Sequence, residues 1–176
     1  KHATVIDVKL SNDNILTISD NGRGIPIDSH PKFKNKSALE VIMTTLHSGG
    51  KFSNKNYATS GGLHGVGASV VNALSSFMKV DVVRKGVLYT QEFSKGLPIT
   101  KLNKIEPTKR SSGTSISFKP DKSIFGENNL LNPDKLYKIL EYKAYLFGGV
   151  KINWECAASL LKDNTKTQKN KKICYI

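Results

Sequence analysis

At 176 residues the chain is long enough to bury one core, and its 38% hydrophobic and 23% charged content is ordinary for a single globular domain. No stretch approaches the roughly 18 apolar residues of a membrane span, and no secretory leader opens the sequence, so neither a membrane partner nor an exported protein is expected. The net charge of +13 invites a nucleic-acid reading, but nearly all of it is lysine scattered among asparagines and isoleucines. Surfaces that read phosphate and guanine gather arginines instead, so any direct DNA contact by this chain would rest on electrostatics alone.

Residues 3–10 alternate as a strand, and 15–19 alternate again after the turn Ser11-Asn12-Asp13-Asn14. This hairpin delivers the chain to Asp20-Asn21-Gly22-Arg23-Gly24-Ile25-Pro26. Ser37 and Glu40 have the spacing of a capping box, ahead of a helix whose apolar face is Leu39, Ile42, Met43 and Leu46 and which ends at Gly49-Gly50. Residues 51–60 carry no period and read as a loop. Gly61-Gly62-Leu63-His64-Gly65-Val66-Gly67 opens a second helix with Val66, Val70, Val71 and Leu74 on its apolar face.

Strands are predicted at 78–84 and 87–94, joined by Lys85-Gly86. An exposed loop follows at 101–112 and a strand at 115–118. A helix starts near Asn132 with Pro133 in its first turn, and a last strand covers 150–155. The basic run 162–172 reads as a solvated loop. Cys156 and Cys174 lack disulfide-scaffold or metal-ligand spacing and read as reduced thiols of a cytoplasmic protein. The expected architecture is α+β: a two-layer sandwich with helices on one face of a mostly antiparallel sheet.

Two segments carry chemistry. In 20–26 a carboxylate follows a strand directly, beside glycines that let a ligand approach the main chain. An aspartate there can accept a hydrogen bond from an exocyclic amine; the plain alternative is an Asx turn closing a hairpin. In 61–67 four glycines leave backbone N–H groups bare at a helix start, where anions are favoured. The spacing is neither a P-loop nor a dinucleotide fingerprint, and a glycine-rich lid over phosphates describes it better. Lys51 could add a point charge, and His64, with no nucleophile beside it, reads as a structural hydrogen-bond partner.

The 20–26 motif, then Leu46-His47-Ser48-Gly49-Gly50-Lys51-Phe52, then the 61–67 motif resemble the nucleotide-binding motifs of bacterial type IIA DNA topoisomerase B subunits. Gly113-Thr114 followed by Phe118-Lys119-Pro120-Asp121 is similar to the strand that closes the adenine pocket in that family. The resemblance runs from residue 1 to about residue 155 and implies a GHKL, or Bergerat, ATPase fold. It implies that Asp20 binds the adenine amino group with Thr114 assisting through a water, and that Gly24 and Ile25 line the base. Arg23 and Pro26 flank the mouth, Ile42 and Met43 supply an apolar wall, and Tyr57 reaches in from the lid. Lys51 approaches the phosphates, the amides of Gly62, Leu63, His64, Gly65, Val66, Gly67 and Ala68 cradle them, and Arg84 lies where inhibitors of this target class bind.

The resemblance implies ATP with Mg²⁺ as cofactor and a parent enzyme that is an ATP-hydrolysing DNA topoisomerase. Implied partners are DNA through the complete enzyme, an A-type subunit, a second copy on ATP binding, and adenine-pocket inhibitors. The family's water-activating glutamate and its Mg²⁺-binding asparagine lie on a helix ahead of the first strand here, and its transducer domain lies beyond residue 176. The chain is therefore expected to be an N-terminally truncated, incomplete ATP-binding domain, with no catalytic or metal-ligating residue of its own. Lys143-Ala144-Tyr145-Leu146-Phe147-Gly148-Gly149-Val150 is more similar to the topoisomerase IV branch than to gyrase. The alternatives are an inert or inhibitor-binding module and a chaperone or histidine-kinase relative.

Overall fold

Alternation of apolar and polar residues dictates the sheet, and the register bears it out. The computed structural model describes residues 3–47, 65–128, 130–161 and, for the backbone alone, 170–174. In chain order its elements begin with β1 (Val5–Leu10), β2 (Leu16–Asp20), β3 (Ser29–His30), β4 (Phe33–Ser37), α1 (Ala38–Thr44), α2 (Gly67–Ala73) and β5 (Ser75–Arg84). They continue with β6 (Val87–Ser94), β7 (Leu97–Pro98), β8 (Asn103–Pro107), β9 (Ser112–Pro120), α3 (Lys122–Phe125), α4 (Pro133–Leu146), β10 (Lys151–Cys156) and β11 (Asn170–Cys174). The main sheet runs β11-β10-β1-β2-β9-β5-β6-β7, with β8 also on β6. Among the described strands only β1 and β10 pair in parallel.

Directly paired residues share a face. The row Val8, Ile18, Ile116, Val80 and Gln91 crosses five strands toward the helices, as does Leu10, Leu16, Phe118, Met78 and Phe93. The intervening rows face the other way and are polar. There Thr17 bonds Ser117 at 2.8 Å, Ser19 bonds Ser115 at 2.7 Å, and Lys9 pairs with Glu155 at 2.9 Å.

Two apolar clusters lie under the helices. One gathers Val8, Leu10, Ile152 and Trp154 beneath Tyr137 and Ala144 of α4. The other gathers Met78, Val80, Val82 and Phe93 beneath Leu39 and Met43 of α1. Phe118 packs against both. The layout is thus the expected α+β sandwich. No helix of the described residues is long and apolar enough to cross a membrane.

Several boundaries differ from the sequence-based expectation. The α1 helix stops at Thr44 rather than running to 49–50, because Thr44 and Thr45 are β-branched and Thr44 Oγ1 bonds back to Glu40 O at 2.8 Å. Leu46 therefore leaves the apolar face and is exposed. On α2 the buried residues are Ser69 and Asn72, while Val70 and Leu74 are partly exposed. Polar side chains turn inward there because both find carbonyl partners: Val66 O for Ser69 and Met43 O for Asn72.

The predicted loop 101–112 contains β8, an exposed edge strand whose lysine and glutamate break the apolar alternation that marks a strand. The two short strands β3 and β4 and the single-turn α3 also go beyond the predicted elements. The tail of the basic run pairs with β10 as β11 rather than forming a loop. Residues 162–169 lie outside the described residues.

Candidate functional site

The site grows from the end of β2. Asp20 closes that strand and sits directly opposite Thr114 of β9, with Val82 of β5 next along the same row. All three face the helical side. Asp20 Oδ1 accepts the Gly22 amide at 2.7 Å, so the Asx turn is real. That turn engages one carboxylate oxygen and aims the group, leaving acceptor capacity on an ionised carboxylate. Thr114 is buried, and its Oγ1 accepts the Ile25 amide at 3.2 Å, tying the loop after β2 onto β9.

Asn21, which has no assigned role in the sequence motif, anchors the other side of the turn. Its Oδ1 accepts from Thr4 N at 2.9 Å and Val5 N at 3.0 Å, and its Nδ2 donates to Thr4 Oγ1 at 2.9 Å.

Gly24 has φ +75, and a Cβ there would stand 2.7 Å from Val83 O and 3.1 Å from Arg84 Cγ. The loop therefore lies flush on the end of β5 in a conformation that L side chains rarely adopt. Ile25 packs on the second cluster, while Arg23 and Pro26 are exposed at the mouth. Arg84 ends β5, paired with Ser112 and Val87. From the helical layer Met43 is fully buried and Ile42 and Ala68 are partly so, all against this cluster. Gly65 has φ +62, Val66 is the N-cap of α2 without a side-chain cap, and Gly67 opens the helix.

The structure thus brings together Asp20, Arg23, Gly24, Ile25, Pro26, Arg84 and Thr114 at one end of the sheet, with Ile42 and Met43 on α1 and Gly65, Val66, Gly67 and Ala68 on the start of α2. Lys51, Tyr57, Gly62, Leu63 and His64 lie outside the described residues.

Two buried amides hold α1, and neither belongs to a motif that would mark it in advance. Asn72, fully buried on α2, donates to Met43 O at 2.9 Å. Gln91, fully buried on β6, donates to Thr100 O at 3.1 Å and lies 3.4 Å from Glu40 Oε2. Arg110, equally unmarked, donates from Nη2 to Asp20 O at 2.8 Å. A separate apolar hollow of about 260 Å³, lined by Val71, Leu74, Phe118, Phe125 and Leu131 among others, lies toward the opposite end of β9 from Thr114 and carries no chemistry.

A carboxylate at a strand end, a close-packed glycine beside it and a glycine-started helix across from it match one family by sequence. The signature of the histidine kinase-, DNA gyrase B- and HSP90-like ATPases covers residues 1–124. The chain belongs to this ATPase family. Within it, the chain is 57% identical to the B subunit of DNA topoisomerase 4 from Rickettsia typhi over 164 residues, 93% of this chain and 25% of that protein. It is 49% identical to the DNA gyrase B protein of Thermotoga maritima over 150 residues, 85% of this chain and 23% of that protein.

Among solved structures, the topoisomerase IV ATP-binding domain of Francisella tularensis, in complex with a small-molecule inhibitor, superposes with a TM-score of 0.78 at 32% identity, covering 99% of this chain and 77% of that one. The family resemblance, the greater similarity to topoisomerase IV B subunits than to gyrase B and the ATPase fold are therefore borne out. The chain spans about a quarter of the length of the curated relatives it matches.

ATP is the ligand the family name implies, and the described residues fit its base. Asp20 offers an acceptor, Thr114 a buried hydroxyl beside it, and Gly24 the close backbone approach. Among the described residues no group of three or more His, Cys, Asp or Glu converges as a metal site. No step is assigned to a metal here.

Proposed function

We propose that this chain is the nucleotide-binding part of a topoisomerase IV-type B subunit. The Asp20 carboxylate accepts a hydrogen bond from the adenine amino group while Thr114 serves the neighbouring ring edge through a water. Gly24 and Ile25 pack along the base, Ile42 and Met43 close its apolar side, and Arg23, Pro26 and Arg84 form the mouth. The phosphates would lie toward the start of α2, at Gly65, Val66, Gly67 and Ala68, and the family resemblance would add the amides of Gly62, Leu63 and His64, the charge of Lys51 and the ring of Tyr57. The observation that carries this reading is the register that sets Asp20 directly opposite Thr114, with the Gly24 loop bonded onto that pair.

In the whole protein, ATP and Mg²⁺ binding would drive dimerisation of B subunits and so gate DNA strand passage with an A-type partner. Hydrolysis needs a positioned water and a metal to neutralise charge, and no residue of this chain is assigned either role. The chain by itself is proposed to bind base-pocket ligands, adenine-pocket inhibitors included, without turning ATP over. A cytoplasmic location accords with this reading.

Calorimetric titration of the chain with a non-hydrolysable ATP analogue and with an adenine-pocket inhibitor tests the proposal. Asp20→Ala should weaken both by about tenfold or more, because a hydrogen bond to a charged group contributes about 1.5–3 kcal/mol. Unchanged affinity in that variant would overturn the reading.

A further inference from the structure

We propose that Arg110 is a positioning residue for the base-recognising carboxylate, acting through the main chain of Asp20. This rests on the reading of Asp20 given above and extends it to a residue outside every recognised motif.

The geometry begins with a staple. Thr108 N donates to Gly86 O at 2.7 Å, and Gly86 N donates to Ser111 O at 3.1 Å. These bonds fix the loop between β8 and β9 onto the β5–β6 turn. Arg110 N bonds Thr108 Oγ1 at 3.3 Å, which sets the residue's own backbone. From that anchored position Nη2 reaches Asp20 O at 2.8 Å. The ends of β5, β9 and β2 are thereby linked in one chain of hydrogen bonds, and these strands supply Arg84, Thr114 and Asp20.

Gly113 shows that the contact is built into the backbone. At φ +142, a Cβ at Gly113 would collide with both Asp20 O and Arg110 Nη2. The carbonyl and the guanidinium meet in the space that any side chain at 113 would fill. Asp20's carboxylate is already fixed at one oxygen by Gly22 N. The peptide that follows Asp20 is held at both of its polar groups: Asn21 N donates to Val5 O at 3.3 Å, and Arg110 holds the carbonyl.

Residue choice points the same way. Only three of the 27 basic residues are arginines: Arg23, Arg84 and Arg110. All three lie at this end of the sheet. A planar guanidinium can bond a strand-end carbonyl sideways while its other donors stay in water, and it loses less freedom per bond than a lysine does.

The test is a double-mutant cycle on binding of a non-hydrolysable ATP analogue, using the chain, Arg110→Ala, Asp20→Asn and the double variant. Arg110→Ala should weaken binding about three- to tenfold, the range of a neutral-acceptor hydrogen bond, and leave the thermal midpoint nearly unchanged. In the Asp20→Asn background the same substitution should change affinity less than about twofold, since residues that act through one another are non-additive. The Gly22 amide should exchange faster in Arg110→Ala while core amides do not.

Equal loss in both backgrounds would mean that Arg110 acts independently of Asp20, and no loss would mean that it positions nothing; either overturns the proposal. If Asp20→Asn alone leaves affinity unchanged, the base reading falls and takes this proposal with it. If Asp20→Asn weakens binding and Arg110→Ala does not, only the Arg110 role falls. Should Arg110→Ala fold poorly, Arg110→Gln, which keeps an amide donor on a shorter stem, goes through the same cycle.

Discussion

The two apolar clusters under the helices are built differently, and the difference separates stability from binding. Beneath α4 the packing is apolar throughout its centre: Trp154, Leu10, Val8 and Ile152 from the parallel pair β1 and β10, closed by Tyr137 edge-on to Trp154 with ring centroids 6.3 Å apart. None of the site residues belongs to it. Beneath α1 and α2 the cluster is smaller, and fully buried amides edge it, Asn72 on one side and Gln91 on the other. Ile25, Ile42, Met43 and Ala68 all belong to or pack on this second cluster. Apolar burial is non-directional, whereas hydrogen-bonded amides fix position. The first cluster holds the sheet together, and the second aims groups at the site.

Substitutions can break that division. The largest effect is expected at Trp154, the bulkiest of the fully buried side chains. Trp154→Ala should cost about 3–5 kcal/mol in denaturant unfolding, while molecules that remain folded bind the ATP analogue as before. Weaker binding by the folded fraction would show that the first cluster also shapes the site.

Gly24→Ala should do the opposite. Its cost in stability should be about 2–3 kcal/mol, from a left-handed backbone and a Cβ 2.7 Å from Val83 O, and binding should fall below detection because the loop must lift off β5. Retained affinity would mean that the flush loop is not part of the pocket.

Asn72→Ala sharpens the comparison from within the second cluster. Losing the donor to Met43 O removes a partner from one of the last carbonyls of α1, at about 1–3 kcal/mol. Because Met43 is proposed as part of the pocket wall, stability and ligand affinity should fall together, measured by unfolding and titration of the same preparation. A loss of stability with intact affinity would place Asn72 with the structural residues.

Much of this was legible in the sequence for physical reasons. Period-two alternation marks β1, β2, β5 and β6 because one face is apolar and the other polar. Ser37 announces α1, accepting the Glu40 amide at 3.0 Å, and Asn132 announces α4. Asp20 and Gly24 stood out because a carboxylate and glycines follow a strand directly, and Thr114 stood out only through the family resemblance. What did not show were residues whose roles depend on a long-range partner. Asn72 reads as a polar interruption of a helix face until Met43 O is seen beside it. Arg110 reads as one more basic residue in an exposed loop, since ninety positions separate it from the carbonyl it holds. Leu46 and Val70 failed for the converse reason: helical spacing predicts a face but not where the helix stops or which way it turns.

The smallest expected effect lies at the seam between the clusters. Asp121 caps α3 through Ser123 N at 3.0 Å and pairs with Lys95 Nζ at 3.1 Å, while its own amide donates to Leu74 O. The hydrogen bond from Ser123 N, then the bond to Lys95, hold its carboxyl below the ordinary value of 3.8. A carboxyl more acidic in the folded than in the unfolded chain contributes stability in full above the unfolded value and loses it as pH falls through the folded one. Asp121→Asn keeps a capping side chain but cannot ionise. The difference in unfolding free energy between the two proteins should therefore be constant from neutral pH down to about pH 5 and shrink below the ordinary carboxylate value. Ligand affinity should be the same in both at every pH where they are folded, because the seam touches neither the base nor the turn that aims Asp20. A difference that persisted undiminished in acid would assign the effect to shape rather than charge. A change in affinity would show that the two clusters are coupled through the seam.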